Sequence, residues 1–207
     1  MKLVVHKITG KETSKQVELS KDVFGVEPNE HAIYLDVKQY LAAQRTGTHK
    51  TKGRSEVKGS RRKLRKQKGS GAARVGDIKN PLFRGGGRVF GPQPRDYDFK
   101  VNKKVKRLAR KSALSHKAKS KSIIILEDFT LENPNTKSYC DFLSNFNLLD
   151  DKTVLVLAES NKNILLSSRN LKKSRVVVAS ELNTHDVMNA NKLMMMQSSI
   201  KEIEKNF

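Results

Sequence analysis

Ser122-Ile123-Ile124-Ile125-Leu126, Thr153-Val154-Leu155-Val156-Leu157-Ala158 and Arg175-Val176-Val177-Val178-Ala179 are three short, nearly unbroken aliphatic runs. A strand with one wet face alternates polar and apolar residues; these runs do not, so both faces of each strand are expected to be buried. Helical patterns separate them. Pro134–Phe146 reads as a helix opened by Asn133-Pro134, Asn161–Arg169 as a short helix, and Thr184–Ala190 as another. Lys192–Met196, with its three successive methionines, reads as a further buried strand, and Ser198–Lys205 as a closing helix. Strands that alternate with helices in this way build a mostly parallel sheet covered on both sides. The expected fold class is α/β: a three-layer α/β/α sandwich with a mostly parallel central sheet and a long basic extended loop.

Upstream, residues 2–8 and 15–19 read as short strands around a turn at Thr9-Gly10-Lys11. Pro28-Asn29 signals the start of a helix running to about Gln44, with Ile33, Tyr34, Val37, Tyr40 and Leu41 at helical spacing. Lys100–Lys119 is a second long helix. Val101, Val105, Leu108, Ala109, Ser112 and Ala113 are expected on its inner side, and Lys103, Lys104, Lys106, Arg107, Arg110 and Lys111 on its outer faces.

Between these two helices the apolar periodicity vanishes. Thr46 to Phe99 holds ten of the twelve glycines and three of the five prolines. A structureless run of this length does not belong inside a compact domain. It is expected to be an extension ordered on a partner, doubled back with a reach of at most roughly 90 Å at ~3.3 Å per extended residue. The domain reading is therefore 1–45 with 100–207 as one globular α/β domain, and 46–99 as an extended loop inserted in it, whose charge makes it the RNA-binding part.

Charge supports that division. Gln44 to Lys121 carries 26 of the 42 Lys/Arg residues and four of the 21 acids, Glu56, Asp77, Asp96 and Asp98; the remainder holds 16 cations and 17 acids. A near-neutral protein thus contains a segment of net charge +22. Such a segment calls for a polyanion, and nucleic acid is the usual large one. Within Lys58–Lys68, seven of eleven residues are cations, which repel one another unless phosphates neutralise them. Arginine's planar fork suits phosphate and stacks on unpaired bases, and glycine lets the backbone approach a sugar-phosphate chain.

The candidate RNA-contacting side chains in the loop are Arg45, Thr46, His49, Lys50, Lys52, Arg54, Lys58, Arg61, Arg62, Lys63, Arg65, Lys66, Gln67, Lys68, Arg74, Lys79, Arg84, Arg88 and Arg95. Phe83 and Phe90 lie among arginines, where they either stack on bases or anchor the loop; for Tyr97 and Phe99 anchoring is favoured. Lys103, Lys104, Arg107 and Arg110 extend the candidate surface onto the following helix.

Other chemistries find little support. Gly69-Ser70-Gly71-Ala72-Ala73-Arg74 ends in Arg where a dinucleotide fingerprint needs Gly, and no strand precedes it. His6, His31, His49, His116 and His185 lack metal-ligand spacing, and Cys140 has no partner cysteine. Cys140 is expected to be a small core residue on its helix. Glu127-Asp128, Glu159 and Glu181 follow strands, where a crevice often binds ligands, but no base or nucleophile joins them. They are expected to face the positive N-terminal ends of neighbouring helices. No cofactor is expected. No apolar run reaches the ~18 residues of a membrane span, and the N-terminal run is too short for a signal peptide, so a soluble, cytoplasmic chain is expected.

Several motifs resemble one family. Thr46-Gly47-Thr48-His49-Lys50-Thr51-Lys52-Gly53-Arg54-Ser55-Glu56-Val57-Lys58-Gly59-Ser60 looks like the start of the long loop in bacterial large-subunit ribosomal protein four. Lys66-Gln67-Lys68-Gly69-Ser70-Gly71-Ala72-Ala73-Arg74 resembles that loop's central motif. Ile78-Lys79-Asn80-Pro81 and Val101-Asn102-Lys103-Lys104 resemble its closing motifs, and Leu165–Leu171 a helix near the C-terminus. Leu64, Arg65 and Ala72 depart from the residues common at the family's loop tip, which are Pro, Trp and Arg.

The resemblance implies a non-catalytic ribosomal protein that binds large-subunit ribosomal RNA and acts early in subunit assembly. It also implies a loop tip, here Arg61, Arg62, Lys63, Leu64, Arg65, Lys66, Gln67, Lys68 and Gly69, lining the peptide exit tunnel beside protein twenty-two and the nascent peptide. No membrane and no second copy of the chain are implied. The alternatives are a non-ribosomal RNA chaperone, a histone-like DNA binder, or a doubly wound enzyme that uses the extension to grip RNA.

Overall fold

A computed structural model of the chain describes residues 1–206. It divides into two compact units, residues 1–41 with 100–207, and residues 42–99. The first holds a six-stranded sheet. In chain order its elements are β1 (Lys2–His6), β2 (Glu12–Glu18), α1 (Lys21–Phe24), α2 (Glu30–Ala43), α3 (Lys103–Lys119), β3 (Ile123–Leu126) and α4 (Thr136–Asn145). There follow β4 (Thr153–Leu157), α5 (Lys162–Ser168), β5 (Ser174–Val178), α6 (Thr184–Asn189), β6 (Lys192–Met196) and α7 (Gln197–Asn206).

The strand order is β2-β1-β3-β6-β4-β5, and every neighbouring pair is parallel except β1 and β2. Those two form a hairpin whose turn places Gly10 at φ +79°. The runs of β3 and β4 do fill both faces, whereas β5, at the sheet edge, leaves Arg175 exposed and Val176 and Val178 half-buried. Ile123, Ile125, Val154, Val156, Leu193 and Met195 point into one core, with Phe24 of α1, Ile33 of α2, Leu114 of α3, Val187 of α6 and Ile203 of α7. Leu126, Leu155, Leu157, Met194 and Met196 point into the other, with Tyr139, Phe142 and Leu143 of α4 and Ile164 of α5. This is the expected three-layer α/β/α arrangement, and Met194–Met196 are buried strand residues.

Asparagine side chains start four of the helices. Asn29, Asn135, Asn161 and Asn183 each accept a backbone N–H of the first turn, satisfying donors that a helix start leaves free. The expected start of α4 at Asn133-Pro134 therefore moves to Asn135, because the cap, not the proline, fixes the first turn. The inner side of α3 is also shifted. Leu108 is exposed, whereas Leu114, Ser115, Lys117 and Ala118 are buried with Ala109, Ser112 and Ala113. Ser112 and Ser115 face inward because their hydroxyls accept the N–H groups of Asn29 and Val26, tying α3 to the start of α2. Cys140 is half-buried rather than in the core.

The N-terminus of α6 anchors a polar network. Asp186, 2% exposed at its side chain, accepts from Arg175 Nη1 at 2.6 Å and Asn183 Nδ2 at 2.8 Å. Thr184 Oγ1 donates to Asp36 Oδ2 of α2 at 2.5 Å. Replacing Asp186 with Ala removes the buried acceptor of two donors, of which Asn183 is half-buried. Arg175 is half-exposed, which tempers the loss, so the cost is expected at about 2–3 kcal/mol, read as a lower urea midpoint with an unchanged slope. A midpoint equal to wild type would mean that water replaces the carboxylate without cost.

Candidate nucleic-acid interface

Between Thr46 and Asn102 the chain forms no helix or strand. It nevertheless doubles back on itself in a defined register. The backbone N–H of Arg95 donates to Gly47, that of Thr51 to Pro92, that of Arg88 to Lys52, and that of Leu64 to Gly76. These cross-links centre the bend near Ser70, between Gly69 and Gly71, both at positive φ. The bend thus lies at the C-terminal end of the stretch expected to be the tip. Isolated cross-links of this kind leave no side-chain periodicity in the sequence.

At the neck, Gly47 has φ +63°, and a Cβ there would lie 2.0 Å from the Arg95 carbonyl oxygen and 3.0 Å from the Tyr97 ring. Tyr97 is held between two guanidiniums, Arg45 at 3.8 Å and Arg95 at 4.6 Å from the ring centroid, with His49 edge-on at 6.5 Å. Arg95, by hydrogen bond and charge, and Arg45, by charge, hold the Tyr97 hydroxyl below the usual phenol range. Cation–π contact favours both positions, weakly at such an exposed site. By sequence Tyr97 reads as an anchor; in space it also gathers two cations, of which only Arg95, two residues before it, is near in sequence, while Arg45 arrives through the fold-back of the loop.

Further along, Arg54 pairs with Asp77 at 2.8 Å and Lys50 with Glu56 at 2.6 Å. The hydrogen bond from Lys50, with another from the Gly53 N–H, holds the Glu56 carboxyl below its usual range. These cations brace the loop as well as carry charge. Lys79 is buried, its stem near Gly59, so it serves packing more than an external ligand.

Residues 61–70 are all exposed, and this places Arg61, Arg62, Lys63, Arg65, Lys66, Gln67 and Lys68 at the surface together. Two open clefts flank them. One of about 570 Å³ is lined by Arg62, Lys63, Leu64, Arg65 and Lys66; another of about 470 Å³ by Arg54, Arg61, Lys63, Gln67 and Arg74. Thr46, Lys52, Lys58, Arg84 and Arg88 are exposed along the limbs, except that Lys52 borders the backbone bond to Arg88. Phe90 is 99% exposed and Phe83 half-buried, so Phe90 does not anchor the loop.

In the other unit, Lys103, Lys104 and Arg107 form an exposed cationic face on α3. Arg110 is half-buried, and Lys106 turns inward to donate to Gln39 at 2.9 Å. The acids after the strands behave as expected of helix-end partners in one case. Asp128 accepts from Ser198 N at 3.2 Å and Oγ at 2.7 Å in the first turn of α7, while Glu127 pairs with Lys15 at 3.0 Å. Among the described residues no group of three or more His, Cys, Asp or Glu is placed to hold a metal.

An α/β unit with a complete core, joined to a glycine-rich cationic unit with its charges turned outward, is the construction of a protein that assembles with nucleic acid. The sequence comparisons narrow that class. The chain belongs to the ribosomal protein L4/L1 family, which matches residues 17–206. It is 58% identical over 206 residues to the large ribosomal subunit protein uL4 of Flavobacterium johnsoniae, covering all of this chain and 99% of that one. It is 58% identical over 207 residues to the uL4 of Parabacteroides distasonis and 52% over 207 to that of Amoebophilus asiaticus, each covering all of this chain and 99% of the relative. It is thus a ribosomal protein and not an enzyme, which removes the reading as an RNA-acting enzyme.

Proposed function

We propose that the chain is a structural component of the large ribosomal subunit that binds ribosomal RNA through residues 46–99 and the exposed face of α3. The observation that carries this reading is the full-length match, across both units, to relatives named as large ribosomal subunit proteins. The outward cations of residues 61–68 support it physically, since so dense a row of cations calls for a polyanion, and the phosphates of RNA are one. In this reading Arg61, Arg62, Lys63, Arg65, Lys66 and Lys68 neutralise phosphates, and Arg45 and Arg95, gathered on Tyr97, present a pair of guanidiniums. Phe90 stacks on an unpaired base. The same reading has the chain act early in subunit assembly and puts the bend near Ser70 at the peptide exit tunnel, beside protein twenty-two and the nascent peptide.

The first test is sedimentation of the tagged chain from a lysate with a high-salt wash. Stoichiometric retention on the large subunit is expected; release into the soluble fraction would point to a peripheral RNA binder and withdraw the tunnel assignment. A second result follows from charge. With about ten phosphates neutralised, log affinity for a large-subunit RNA fragment is expected to fall against log salt with a slope of roughly −7 to −9. A slope near −2 would show that the loop leaves most phosphates untouched.

A further inference from the structure

The first unit has a second feature that RNA binding does not use. Neighbouring strands β3, β6 and β4 send their chains to opposite faces of the sheet: β3 leads to α4 and β4 to α5 on one side, β6 to α7 on the other. Where adjacent strands part in this way, the connections separate and leave a crevice at the strands' carboxyl ends. Here it is a groove of about 450 Å³. The half-buried Phe129 lines it, over Leu157, Ile164 and Met196, which are themselves buried in the core. Its rim is acidic, with Asp128 and Glu159, and an adjoining cleft adds Glu202 beside Lys201.

Among the described residues Glu159 and Glu202 take part in no ion pair or hydrogen bond, and both are exposed. Asp128 uses one carboxylate oxygen on Ser198. Uncompensated carboxylates around the groove repel phosphate, in a chain whose net charge is +21. No glycine-rich turn is present to cradle a nucleotide there, and no metal-binding group is assembled. The chemistry complementary to this groove is a cationic chain with an apolar side chain in it.

We propose that this groove docks an extended lysine- and arginine-rich segment of a partner protein, with its cations over Asp128, Glu159 and Glu202 and one aliphatic side chain against the half-buried Phe129. The carboxylate rim attracts the cations and selects against neutral and acidic segments, and apolar contact with Phe129 adds to it. The site is separate from the RNA-binding residues and does not depend on how those act.

The test uses the full chain without RNA and a fluorescein-labelled ten-residue peptide containing six lysines or arginines and two leucines. Saturable anisotropy is expected. Glutamine in place of the cations, or serine in place of the leucines, is expected to weaken binding about tenfold or more. The double variant Glu159→Lys, Glu202→Lys, with an unchanged circular dichroism spectrum, is expected to do the same. A photo-crosslinking residue at Thr130 of the otherwise wild-type chain is expected to label the peptide, which keeps the test decisive if the double variant folds poorly. Equal binding by wild type and a folded double variant, or a peptide that escapes the label at Thr130, overturns the proposal. So does an RNA oligonucleotide that competes with the peptide for that label.

Discussion

Excising residues 48–94 and joining Gly47 to Arg95 through a short glycine-serine linker leaves the α/β unit folded and removes the chain from large subunits. Both halves of this expectation come from the structure. The backbones of Gly47 and Arg95 already meet through a hydrogen bond of 3.2 Å, so a short linker spans the gap without pulling on α2 or α3. The two cores of the first unit draw on no residue between 48 and 94. Removing the excised segment takes away every cation from Lys50 to Arg88. Because phosphate neutralisation supplies a large share of affinity, occupancy on the subunit is expected to fall on the order of a hundredfold. Quantitative mass spectrometry of salt-washed subunits, with thermal melting of the isolated variant, checks both halves. Wild-type occupancy would falsify the assignment of RNA binding to the loop, and loss of the melting transition would show that the units are not independent.

The second large effect is expected from one atom group. Gly47→Val places a branched side chain at φ +63° and drives its Cβ to within 2.0 Å of the Arg95 carbonyl oxygen. The left-handed conformation costs a branched residue roughly 1–2 kcal/mol, and the collision with backbone cannot be relieved by a side-chain rotation. The neck opens instead, the bond from Arg95 to Gly47 breaks, and Tyr97 loses its place between Arg45 and Arg95. Affinity for ribosomal RNA is expected to drop about tenfold, or ~1.4 kcal/mol, while the melting of the α/β unit stays put. Gly53→Ala is the control, since a Cβ at Gly53 meets nothing within 4 Å and its binding is expected to be unchanged. Equal affinities for the two variants would mean that the neck need not be pre-formed.

Much of this molecule is readable from side-chain chemistry, and the unreadable part has a physical cause. The Ile, Val and Leu runs from Ser122 to Ala179 announce buried parallel strands because both of their faces need apolar residues. Strand order is not announced. Nothing in Lys192–Met196 says that it enters between β3 and β4, because every central strand offers the same aliphatic surface. Leu108 reads as an inward residue by spacing alone, yet α3 turns Ser112 and Ser115 inward to accept backbone N–H groups, a pairing invisible until α2 is placed. The four-residue α1 is too short to show a period. In the loop, the cations are plain from composition. Its register is set by isolated backbone hydrogen bonds; the glycines that permit the bends are visible in the sequence, but the pairing of one limb with the other is not.

The position of β6 sets a timetable for synthesis. It is the last strand to be made and sits between β3 and β4, so the sheet cannot be completed until residues 192–196 exist. At about 5–20 residues per second, the stretch from residue 99 to residue 192 takes roughly 5–20 s to translate. For that interval the emerging polypeptide carries its most cationic segment while β3 and β4 still lack the strand that joins them. A chain of this order thus presents its cations to solvent before its sheet can close.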